Sequence, residues 1–547
     1  MFANEVRLAP PRNKSRATMD VAWCYPGSYA IGMAGLGYQL VWDLIDSHEQ
    51  VRAVRCFTDM DEFDSAERQS ACRLFGFTLG WELDFVNVLS ILDHYGVNLS
   101  ASRRSDDDPI VFGGGPVLSA NPEPYADIFD VVLLGDAEAT VGTFLSALAN
   151  EDGRSSRKAR LEKLAQLPGV YVPSLYDVEY DPPDMLGSIQ SVSPLGGAAP
   201  STVERQVYRG DKDYMAKSSF LSPDTIWGAT FLIEVVRSCP QECRFCLASY
   251  LTRPFRFAPV DAIVGEVEKV RDRAGRVGLL GPSITEHPEF PELAKRLSAM
   301  ENLEATVASV RADTLDVELV KNIASLGQKS VTIALESGSE RLRGIMKKNL
   351  SQEQIESALD AIDRGGLSGV KLYGIAGLPY ETGEDLDETI RLLTMLKKRH
   401  KRLRFVFGLS SFVPKAQTPF QWMGRDRSCA SKMEYLRKHL SRAGIDVRPE
   451  SHNWSDIQAL LSRGDRRLAP VLSEVAAAGR KGKGTLGSWR KALKRFADVC
   501  PSLDFYAYRN IAVSEILPWG HLSPGTPEKQ AYLERHLEDA SRLALGQ

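Results

Sequence analysis

Three cysteines lie close together on one short stretch of this chain, and their spacing is that of a metal centre. Cys239, Cys243 and Cys246 fall four and then three residues apart in RSCPQECRFCLASY. A structural zinc site usually has four protein ligands in paired short spacings. The nearest histidine, His287, is 41 residues on, and no second pair is formed by the cysteines at positions 24, 56, 72, 429 and 500. A 4Fe–4S cluster with one open iron accounts better for three thiolates; structural zinc or an electron-transfer cluster is the alternative.

The cysteine loop directly follows an apolar segment, FLIEVV at 231–236, which begins a regular alternation. Helix-length amphipathic stretches near 259–273, 288–300, 313–326, 351–365 and 384–399 separate the predicted strands 231–236, 276–281, 304–309, 330–335, 369–376 and 404–412. Six strand–helix units of this kind predict a partial (β/α)6 barrel over 226–425. The chemistry of such a barrel lies at the carboxyl ends of its strands, which is where the cysteines fall.

A second alternation precedes the barrel and predicts a doubly wound parallel sheet over residues 1–150. Its predicted strands are 21–25, 74–79, 109–114 and 130–135, with helices at 36–47, 82–95 and 137–149. Residues 151–225 are charged and then rich in proline, which predicts connecting structure. Residues 426–547 are mainly helical in their pattern. The fold class is therefore α/β, with a doubly wound sheet, a barrel and a helical C-terminal region.

Composition limits the class of protein. A 547-residue chain with 43% hydrophobic and 25% charged residues is a multidomain globular protein, not a disordered or disulfide-stapled one. Its formal charge of −4 gives no broad basic field for nucleic acid. The N-terminus is charged where a signal peptide is apolar, and the uncharged run 21–42 is interrupted by Pro26 and several glycines. We expect a cytoplasmic protein without a membrane partner.

With the cysteine spacing and the barrel in place, the chain resembles the radical S-adenosylmethionine superfamily, whose members share three cysteines in this spacing. The resemblance implies that Cys239, Cys243 and Cys246 hold a 4Fe–4S cluster and are the catalytic core. It also implies that S-adenosylmethionine is cleaved reductively to a 5′-deoxyadenosyl radical, with an electron donor such as flavodoxin or ferredoxin. The substrate, whether small molecule, RNA or protein, is not identified by it.

Further segments extend the resemblance and imply S-adenosylmethionine contacts. In VASVRADTL (307–315), Ser309 and Arg311 approach the methionine moiety; in ALESGSERL (334–342), Glu336 or Ser337 contacts the ribose. KLYGIAGLPYET (371–382) resembles the glycine-bearing fifth strand, which implies that Gly374 and Gly377 would lie against the adenine. After the second barrel strand many members have Gly-Gly-Glu. This chain has Gly281-Pro282-Ser283 instead, with Gly281 and Ser283 as candidate contacts to the methionine amino group.

The doubly wound region resembles the cobalamin-binding class of the same superfamily, over PIVFGGGPVLSANPEPYADIFDVVLLGDAEAT (109–140). There Gly113, Gly114 and Gly115 would let the backbone approach a flat macrocycle or its nucleotide tail. The Asp-x-His-x-x-Gly element that supplies a histidine to cobalt in other cobalamin proteins is absent. Over most of its length the chain is similar to an uncharacterised family. The segments that carry this similarity include FVPKAQTPFQW (412–422), SRGDRRL (462–468) and ILPWGHL (516–522).

Three hypotheses follow. The first is a cobalamin-assisted radical enzyme, with methyl transfer as the candidate reaction. The second is a radical enzyme without cobalamin that modifies RNA or protein, in which Arg463, Arg466, Arg467, Trp454 and Trp489 form a docking surface; as the alternative, these residues form a salt-bridged helical cap. The third is a non-catalytic iron–sulfur protein for electron transfer.

Overall fold

The first element of the fold is a six-stranded sheet with the order β3-β2-β4-β5-β6-β7, parallel except for β7. The computed structural model describes residues 2, 4–150, 155–181, 186–211, 214–478, 484–522 and 527–546. Up to β7, the strands are β1 Val6–Arg7, β2 Met19–Cys24, β3 Val51–Cys56, β4 Leu74–Thr78, β5 Ile110–Gly114, β6 Val131–Leu133 and β7 Val170–Tyr171. The helices are α1 Tyr29–Gly32, α2 Leu36–Ser47, α3 Ala66–Ala71, α4 Phe85–His94, α5 Pro116–Ala120, α6 Ala137–Ala149 and α7 Arg157–Leu164.

The chain order in this sheet reverses between β2 and β4. From β2 the chain moves to β3 on one side, and it then returns to β4 on the other side. Open α/β sheets bind ligands outside the carboxyl ends of their strands at such a reversal. The predicted doubly wound sheet is thus present, and helices α2 and α6 match their predicted bounds of 36–47 and 137–149.

Strand β3 (Val51–Cys56) is absent from the sequence prediction. Its sequence VRAVRC interrupts the apolar run with two arginines. One of them, Arg55, is buried and pairs with Glu5 at 2.7 Å and with Glu62 at 2.5 Å. The positive charge of Arg55 is neutralised by carboxylates from other segments of the chain. A prediction based on runs of apolar residues cannot detect such distant ion pairs, so it missed this strand.

The connecting region contains more regular structure than its composition predicts. Strand β7 joins the first sheet, and β8 (Tyr176–Tyr180) forms an antiparallel hairpin with β9 (Ile189–Pro194). Strand β10 (Phe220–Leu221) pairs with β1 near the N-terminus. These short strands tie the segment before the barrel to the first sheet. The division of the chain into four regions stays a prediction.

The barrel is built from two parallel sheets, β11-β14-β15 and β16-β17-β18-β19. A parallel bridge between Val310 and Ile333 joins them into one curved wall. From β11 on, the strands are β11 Thr230–Glu234, β12 Val236–Arg237, β13 Arg256–Phe257, β14 Arg276–Leu280, β15 Glu304–Val307, β16 Ser330–Glu336, β17 Gly369–Ala376, β18 Arg404–Ser411 and β19 Asp446–Pro449. The helices are α8 Leu247–Leu251, α9 Val260–Val270, α10 Phe290–Ser298, α11 Val317–Ser325, α12 Glu340–Ile345, α13 Gln352–Arg364, α14 Gly383–Arg399 and α15 Cys429–Arg442.

All six predicted barrel strands are present, and their bounds differ from the prediction by no more than two residues at either end. The addition is β19, which pairs in parallel with β18 inside the region predicted to be mainly helical. Its sequence is Asp-Val-Arg-Pro, and it lies at the open edge of the wall. Charged residues and proline are common on edge strands, and they hide such strands from an apolar pattern.

The C-terminal helices pack against the first sheet as well as the barrel. They are α16 His452–Arg463, α17 Ala469–Ala478, α18 Leu486–Arg495 and α19 Pro527–Ala544. Leu460, Val471 and Trp489 belong to the same hydrophobic core as the first sheet. Helix α19 contributes Ala540 to a smaller cluster with Leu342 of the barrel. No helix of the described residues is both long enough and apolar enough to cross a membrane.

Buried polar contacts connect the first sheet to the barrel and the C-terminal helices. Asn121 donates from Nδ2 to the Gly464 carbonyl at 2.8 Å. Gln417 donates from Nε2 to the Ser119 carbonyl at 3.1 Å and to the Ala120 carbonyl at 3.0 Å. Both amide side chains are buried. Separating these regions would leave these amides and carbonyls without partners unless water replaced them.

Candidate functional site

The cysteine loop lies between β12 and α8, at the carboxyl ends of the barrel strands. Its backbone is held in an unusual path, because Ser238 and Glu242 have φ values of 71° and 56°. The Cys246 N–H donates to the Cys243 carbonyl at 2.9 Å, which closes the second half of the loop as a turn. Positive φ in residues other than glycine costs free energy and persists where surrounding contacts enforce it.

Those contacts come from α12 and α19. Arg244 is buried and donates from Nη1 to the carbonyl of Ile345, the last residue of α12, at 2.6 Å. Glu242 accepts from the Lys347 ammonium and from the Tyr532 hydroxyl, both at 2.5 Å. Tyr532 lies on α19, so a helix nearly three hundred residues further along the chain supports the cysteine loop. Residues outside the loop, on or near α12 and on α19, therefore hold it in position.

The three cysteines line one cavity, which we call the cysteine cavity. It has a volume of about 130 Å³. The ends of β14, β15 and β16 complete its wall and bring four further predicted residues to it: Ser283, Ser309, Arg311 and Glu336. Four sequence-distant segments thus meet at the position where a parallel barrel places its chemistry. The roles of these residues stay predictions.

Burial controls the protonation of the thiols in this cavity. It raises the pKa of Cys243 to about 12, and it also raises the pKa of Cys246. These two free thiols are therefore protonated near neutral pH. A metal that binds them has to displace those protons, because the thiolate is the ligand.

The donor set distinguishes between a single ion and a cluster. Among the described residues, no three histidine, cysteine, aspartate or glutamate side chains converge closely enough to hold one metal ion. A zinc site needs convergence of four donors on one ion. A 4Fe–4S cluster distributes its thiolates over different irons, so its ligands stand further apart. Three thiols around one cavity are the donor set of a 4Fe–4S cluster with one open iron.

Glu336 and Arg311 are held by different means. Glu336 has a φ of 68°, and burial raises the pKa of its carboxyl group, with the Lys348 ammonium at 3.7 Å opposing that rise. Arg311 is largely occupied by its own neighbours: it donates to Asp313 at 2.7 Å and lies 3.0 Å from Glu286. Glu336 thus faces the cysteines with one cation beside it, whereas the Arg311 guanidinium is fixed by two carboxylates.

Four predicted contacts lie apart from this cavity: Gly281, which borders the second cavity described below, and Ser337, Gly374 and Gly377. Ser337 is buried, and its hydroxyl accepts from the Ser339 N–H at 3.1 Å. A Cβ at Gly374 would stand 2.3 Å from the Phe407 ring, and one at Gly377 would stand 2.8 Å from the Cys429 sulfur. The absence of a side chain at these glycines is explained by packing inside the protein, so their assignment to the adenine stays a prediction without support from this geometry.

A second and larger cavity lies between the carboxyl edges of the first sheet and the barrel; we call it the intersheet cavity. Its volume is about 560 Å³, within the range of small-molecule sites. On the sheet side it is lined by α2 and by the ends of β2, β4, β5 and β6, including Gly113, Gly114 and Gly115. On the barrel side it is lined by residues after β11, by α8 and by the end of β14, including Gly281. It therefore covers the reversal point of the first sheet.

The glycines of the intersheet cavity differ in why they lack a side chain. A Cβ at Gly113 would stand 2.5 Å from Leu118, one at Gly115 would stand 2.9 Å from the Leu79 carbonyl, and one at Gly281 would stand 2.4 Å from Val236. Gly114 has no atom closer than 3.5 Å. Internal packing thus accounts for three of the four, and contact of these backbones with a ligand stays a prediction.

The two cavities share a wall. Pro282 borders both of them, with Gly281 on the intersheet side and Ser283 on the cysteine side. Cys246 borders the cysteine cavity, and the next residue, Leu247, borders the intersheet cavity. A ligand in one cavity is therefore separated from a ligand in the other by a single layer of chain.

Sequence reasoning missed several residues that line these cavities. Lys348 and Gln241 border the cysteine cavity, and Asp136, Glu138 and Arg237 border the intersheet cavity. A signal was present for two of them, because Asp136 and Glu138 follow Gly135 at the start of a predicted helix. Lys348 lies in the short run Lys347-Lys348, which nothing in the sequence connects with the cysteines.

The docking surface that the sequence suggested as one hypothesis is wrong. Arg463, Arg467 and Trp489 are buried. Arg466 pairs with the buried Glu123 at 2.9 Å, and Arg467 pairs with Asp465 at 2.7 Å. Arg466 and Arg467 are thus part of a salt-bridged cap, which was the alternative interpretation, whereas Arg463 donates to the carbonyls of Met423 and Arg509.

Comparisons with known proteins agree with this geometry. Residues 37–173 match the family model "Radical SAM proteins, N-terminal", and residues 233–393 match "Radical SAM superfamily". An uncharacterised protein of Methanocaldococcus jannaschii is 28% identical over 83% of this chain and 90% of its own length. The threonylcarbamoyladenosine tRNA methylthiotransferase MtaB of Aquifex aeolicus is 23% identical over 66% of this chain and 91% of its own.

Among solved structures, the cobalamin-dependent S-adenosylmethionine radical enzyme OxsB, with aqua-cobalamin and S-adenosylmethionine bound, superposes with a TM-score of 0.50. The sequence identity is 12%, and the match covers 96% of this chain and 80% of OxsB. At that identity the likeness is one of fold. With both family models matched in order, and with the three cysteines at the mouth of a parallel barrel, the chain belongs to the radical S-adenosylmethionine superfamily.

Proposed function

We propose that this protein is a radical enzyme with a 4Fe–4S cluster on Cys239, Cys243 and Cys246, S-adenosylmethionine in the cysteine cavity and cobalamin in the intersheet cavity. The observation that carries the proposal is the composition of one wall: the three cysteines share it with Ser309 and Glu336 at the carboxyl ends of neighbouring barrel strands. Membership of the superfamily supports the cluster and the sulfonium substrate.

The bound cluster and S-adenosylmethionine would supply a 5′-deoxyadenosyl radical. The chain itself has to hold these groups and keep solvent away from them. The cysteine thiolates would bind iron. The Ser309 hydroxyl and the Glu336 carboxylate are placed to accept hydrogen bonds from a ligand in the same cavity. Phe245 and Leu350 form an apolar part of its wall. Lys348 keeps a positive charge beside the buried Glu336.

Cobalamin is supported by the position and the lining of the intersheet cavity. The cavity covers the reversal point of a doubly wound sheet, and the similar fold of OxsB is described with aqua-cobalamin bound. No histidine, cysteine or methionine of the described residues lines it. This lining agrees with the absence of an Asp-x-His-x-x-Gly element from the sequence.

Methyl transfer is the reaction that this arrangement supports best. The shared wall at Pro282 leaves one layer of chain between the two ligand sites, so both groups would be held close to one another. The substrate itself is unidentified. A one-electron donor such as flavodoxin or ferredoxin completes the proposal.

Anaerobic reconstitution with iron and sulfide tests the cluster. We expect wild-type protein to take up about four irons per chain and to release 5′-deoxyadenosine from S-adenosylmethionine under a strong reductant. Cys239→Ala, Cys243→Ala and Cys246→Ala should each abolish both. Cys72→Ala is the matched control, because this buried thiol only donates to backbone carbonyls of the first sheet. Iron uptake and nucleoside release by the triple variant would refute the assignment.

Cobalamin is tested separately by the absorption of a corrin in the reconstituted protein. A cobalamin-independent enzyme acting on RNA or protein is the second candidate, and the tRNA-modifying activity named for the relative MtaB favours it. Nucleoside release without any corrin uptake would select that candidate. Iron uptake without nucleoside release would select the non-catalytic electron-transfer protein.

A further inference from the structure

One residue of the cysteine loop is held by side chains from outside the loop. Glu242 accepts from the Tyr532 hydroxyl and from the Lys347 ammonium, each at 2.5 Å. Its carboxylate also pairs with the Arg253 guanidinium, and its backbone carbonyl accepts from the Tyr250 hydroxyl at 2.7 Å. These donors lie on α19 and α8 and just after α12 and α8. Four donors thus converge on a residue that is not itself a predicted cluster ligand.

The backbone at Glu242 needs such support. Its φ of 56° lies in the left-handed region, which residues other than glycine rarely adopt. Glu242 stands directly before Cys243 and three residues after Cys239. A change of its backbone angles would rotate the chain between these two cysteines and move one thiol relative to the other. The contacts of Glu242 and the relative position of two cluster ligands are therefore connected.

Tyr532 is the partner of Glu242 that lies furthest away along the chain. Its hydroxyl donates to Glu242 and accepts from Arg253 Nη2 at 2.8 Å. The Arg253 guanidinium lies 4.8 Å from the centre of the Tyr532 ring. Helix α19 is anchored by Leu533 and Ala540, whose side chains are buried. A helix fixed to the body of the protein therefore presents one hydroxyl to the cysteine loop.

We propose that Glu242 is a positioning residue for the 4Fe–4S cluster, and that α19 acts on the cluster through it by the hydrogen bond from Tyr532. The contacts hold the left-handed backbone at Glu242, and that backbone sets Cys239 and Cys243 at the spacing that one cluster requires. This inference rests on the proposed function, because it takes the ligand of the three cysteines to be a cluster. It adds a contribution from residues 527–544, which lie outside both ranges matched by the family models.

The experiment measures how fast the reconstituted, full-length protein loses iron to an excess of chelator under anaerobic conditions. Absorbance follows the release, and no turnover is needed. Glu242→Ala loses the carboxylate but keeps the unfavourable φ, so it should release iron faster than wild type by roughly tenfold or more. Glu242→Gly loses the same contacts, but glycine adopts this φ freely. It should release iron roughly fivefold more slowly than Glu242→Ala.

The order of these two variants identifies the mechanism. At an ordinary backbone position glycine destabilises a protein more than alanine does, because it has more conformational freedom to lose. Slower release from Glu242→Gly than from Glu242→Ala therefore reports on the backbone angle. A general loss of stability would give the opposite order, and the melting temperatures of both metal-free variants provide the check.

Tyr532→Phe tests the part played by α19, because it removes only the hydroxyl. It should speed up iron release by roughly threefold to tenfold in the wild-type background. It should have no further effect in Glu242→Ala, because the acceptor is then absent. Tyr435→Phe is the matched control: its hydroxyl donates to Asp387 at 2.7 Å on an exposed surface, and its loss should leave the release rate unchanged.

The electron paramagnetic resonance spectrum of the reduced cluster is a second readout, since it responds to the arrangement of the thiolates around the irons. We expect it to change in Glu242→Ala and in Tyr532→Phe and to stay that of wild type in Tyr435→Phe. An unaltered spectrum in both of the first two variants would contradict a positioning role.

The outcomes separate this inference from the proposed function. If wild-type protein takes up no iron, the proposed function fails and this inference fails with it. If wild-type protein takes up iron and Glu242→Ala releases it no faster, this inference alone fails. Equal release from Glu242→Ala and Glu242→Gly would also overturn it, because the side chain would then not act through the backbone. If Glu242→Ala does not fold, Tyr532→Phe decides, and an unchanged release rate there would refute the inference.

Discussion

Gly374→Ala distinguishes between two explanations for a glycine in the fifth barrel strand. The resemblance to radical S-adenosylmethionine enzymes assigns Gly374 to the adenine. In the structure, a Cβ there would stand 2.3 Å from Phe407 Cζ, closer than real Cβ contacts, which stay above 3.0 Å. Phe407 is 1% exposed and belongs to the barrel core, so its ring has little room to move.

The magnitude follows from overpacking. Forcing a methyl group into a packed core costs about 1–3 kcal/mol. For a unit of the barrel's size, each kcal/mol lowers the melting temperature by about 2–4 °C. Gly374→Ala should therefore lower the barrel transition by several degrees. Phe407→Leu removes the end of the ring, and we expect it to relieve the clash, with a coupling of about 1–2 kcal/mol in the double variant.

The assay is differential scanning calorimetry of the metal-free protein. Transition temperatures are compared directly, because the unfolding of a multidomain chain is not two-state and does not give a single free energy of unfolding. Gly383→Ala is the matched control, since no atom lies within 4 Å of its added Cβ. An unchanged transition in Gly374→Ala, together with a raised KM for S-adenosylmethionine that Phe407→Leu does not restore, would refute the packing argument and favour the adenine contact.

Three further predictions concern stability. Glu123→Ala leaves the half-buried Arg466 guanidinium without its carboxylate and should cost about 3 kcal/mol in thermal unfolding, whereas Glu434→Ala, in an exposed pair with Arg437, should change little. Ser351→Ala removes the capping box that Ser351 forms with Gln354 at the start of α13, and should cost about 1 kcal/mol; Ser351→Gly should cost only a few tenths. Burial, aided by Lys347 and Arg244, lowers the pKa of His536 to about 4. The unfolded chain therefore binds a proton that the folded chain does not, and stability should fall as the pH drops from about 6.5 towards 4. Thermal unfolding between pH 7.5 and 5 should show a smaller loss for His536→Gln; an equal loss would assign the effect to other groups.

The sequence predicts the barrel well because each of its strands is a short apolar run between helix-length amphipathic stretches. It fails at β3 and β19 for the same reason. Arg55 in β3 is compatible with burial only because Glu5 and Glu62 reach it from other segments. In β19 three of the four residues are charged or proline, which is common where a strand forms an edge.

Some residues of the candidate site could be predicted from the sequence, and others could not. The three cysteines are close in sequence, and Ser283, Ser309, Arg311 and Glu336 each lie at or just after the end of a predicted strand, so the order of strands and helices predicts that they meet. The hydrogen bond from Tyr532 to Glu242 and the position of Lys348 beside Glu336 depend on how separate segments pack. No spacing in the sequence carries that information. The same holds for Arg463 and Trp489, whose side-chain types are common at docking surfaces but are buried here.

The buried amides of Asn121 and Gln417 have a consequence for motion within this molecule. Hinge opening between the first sheet and the barrel would strip these groups of their partners, so the cleft is not expected to widen and narrow as a clamp does. These contacts favour one spacing between the two ligand sites. We therefore expect changes of distance between reacting atoms to come mainly from rotation or displacement of the bound molecules.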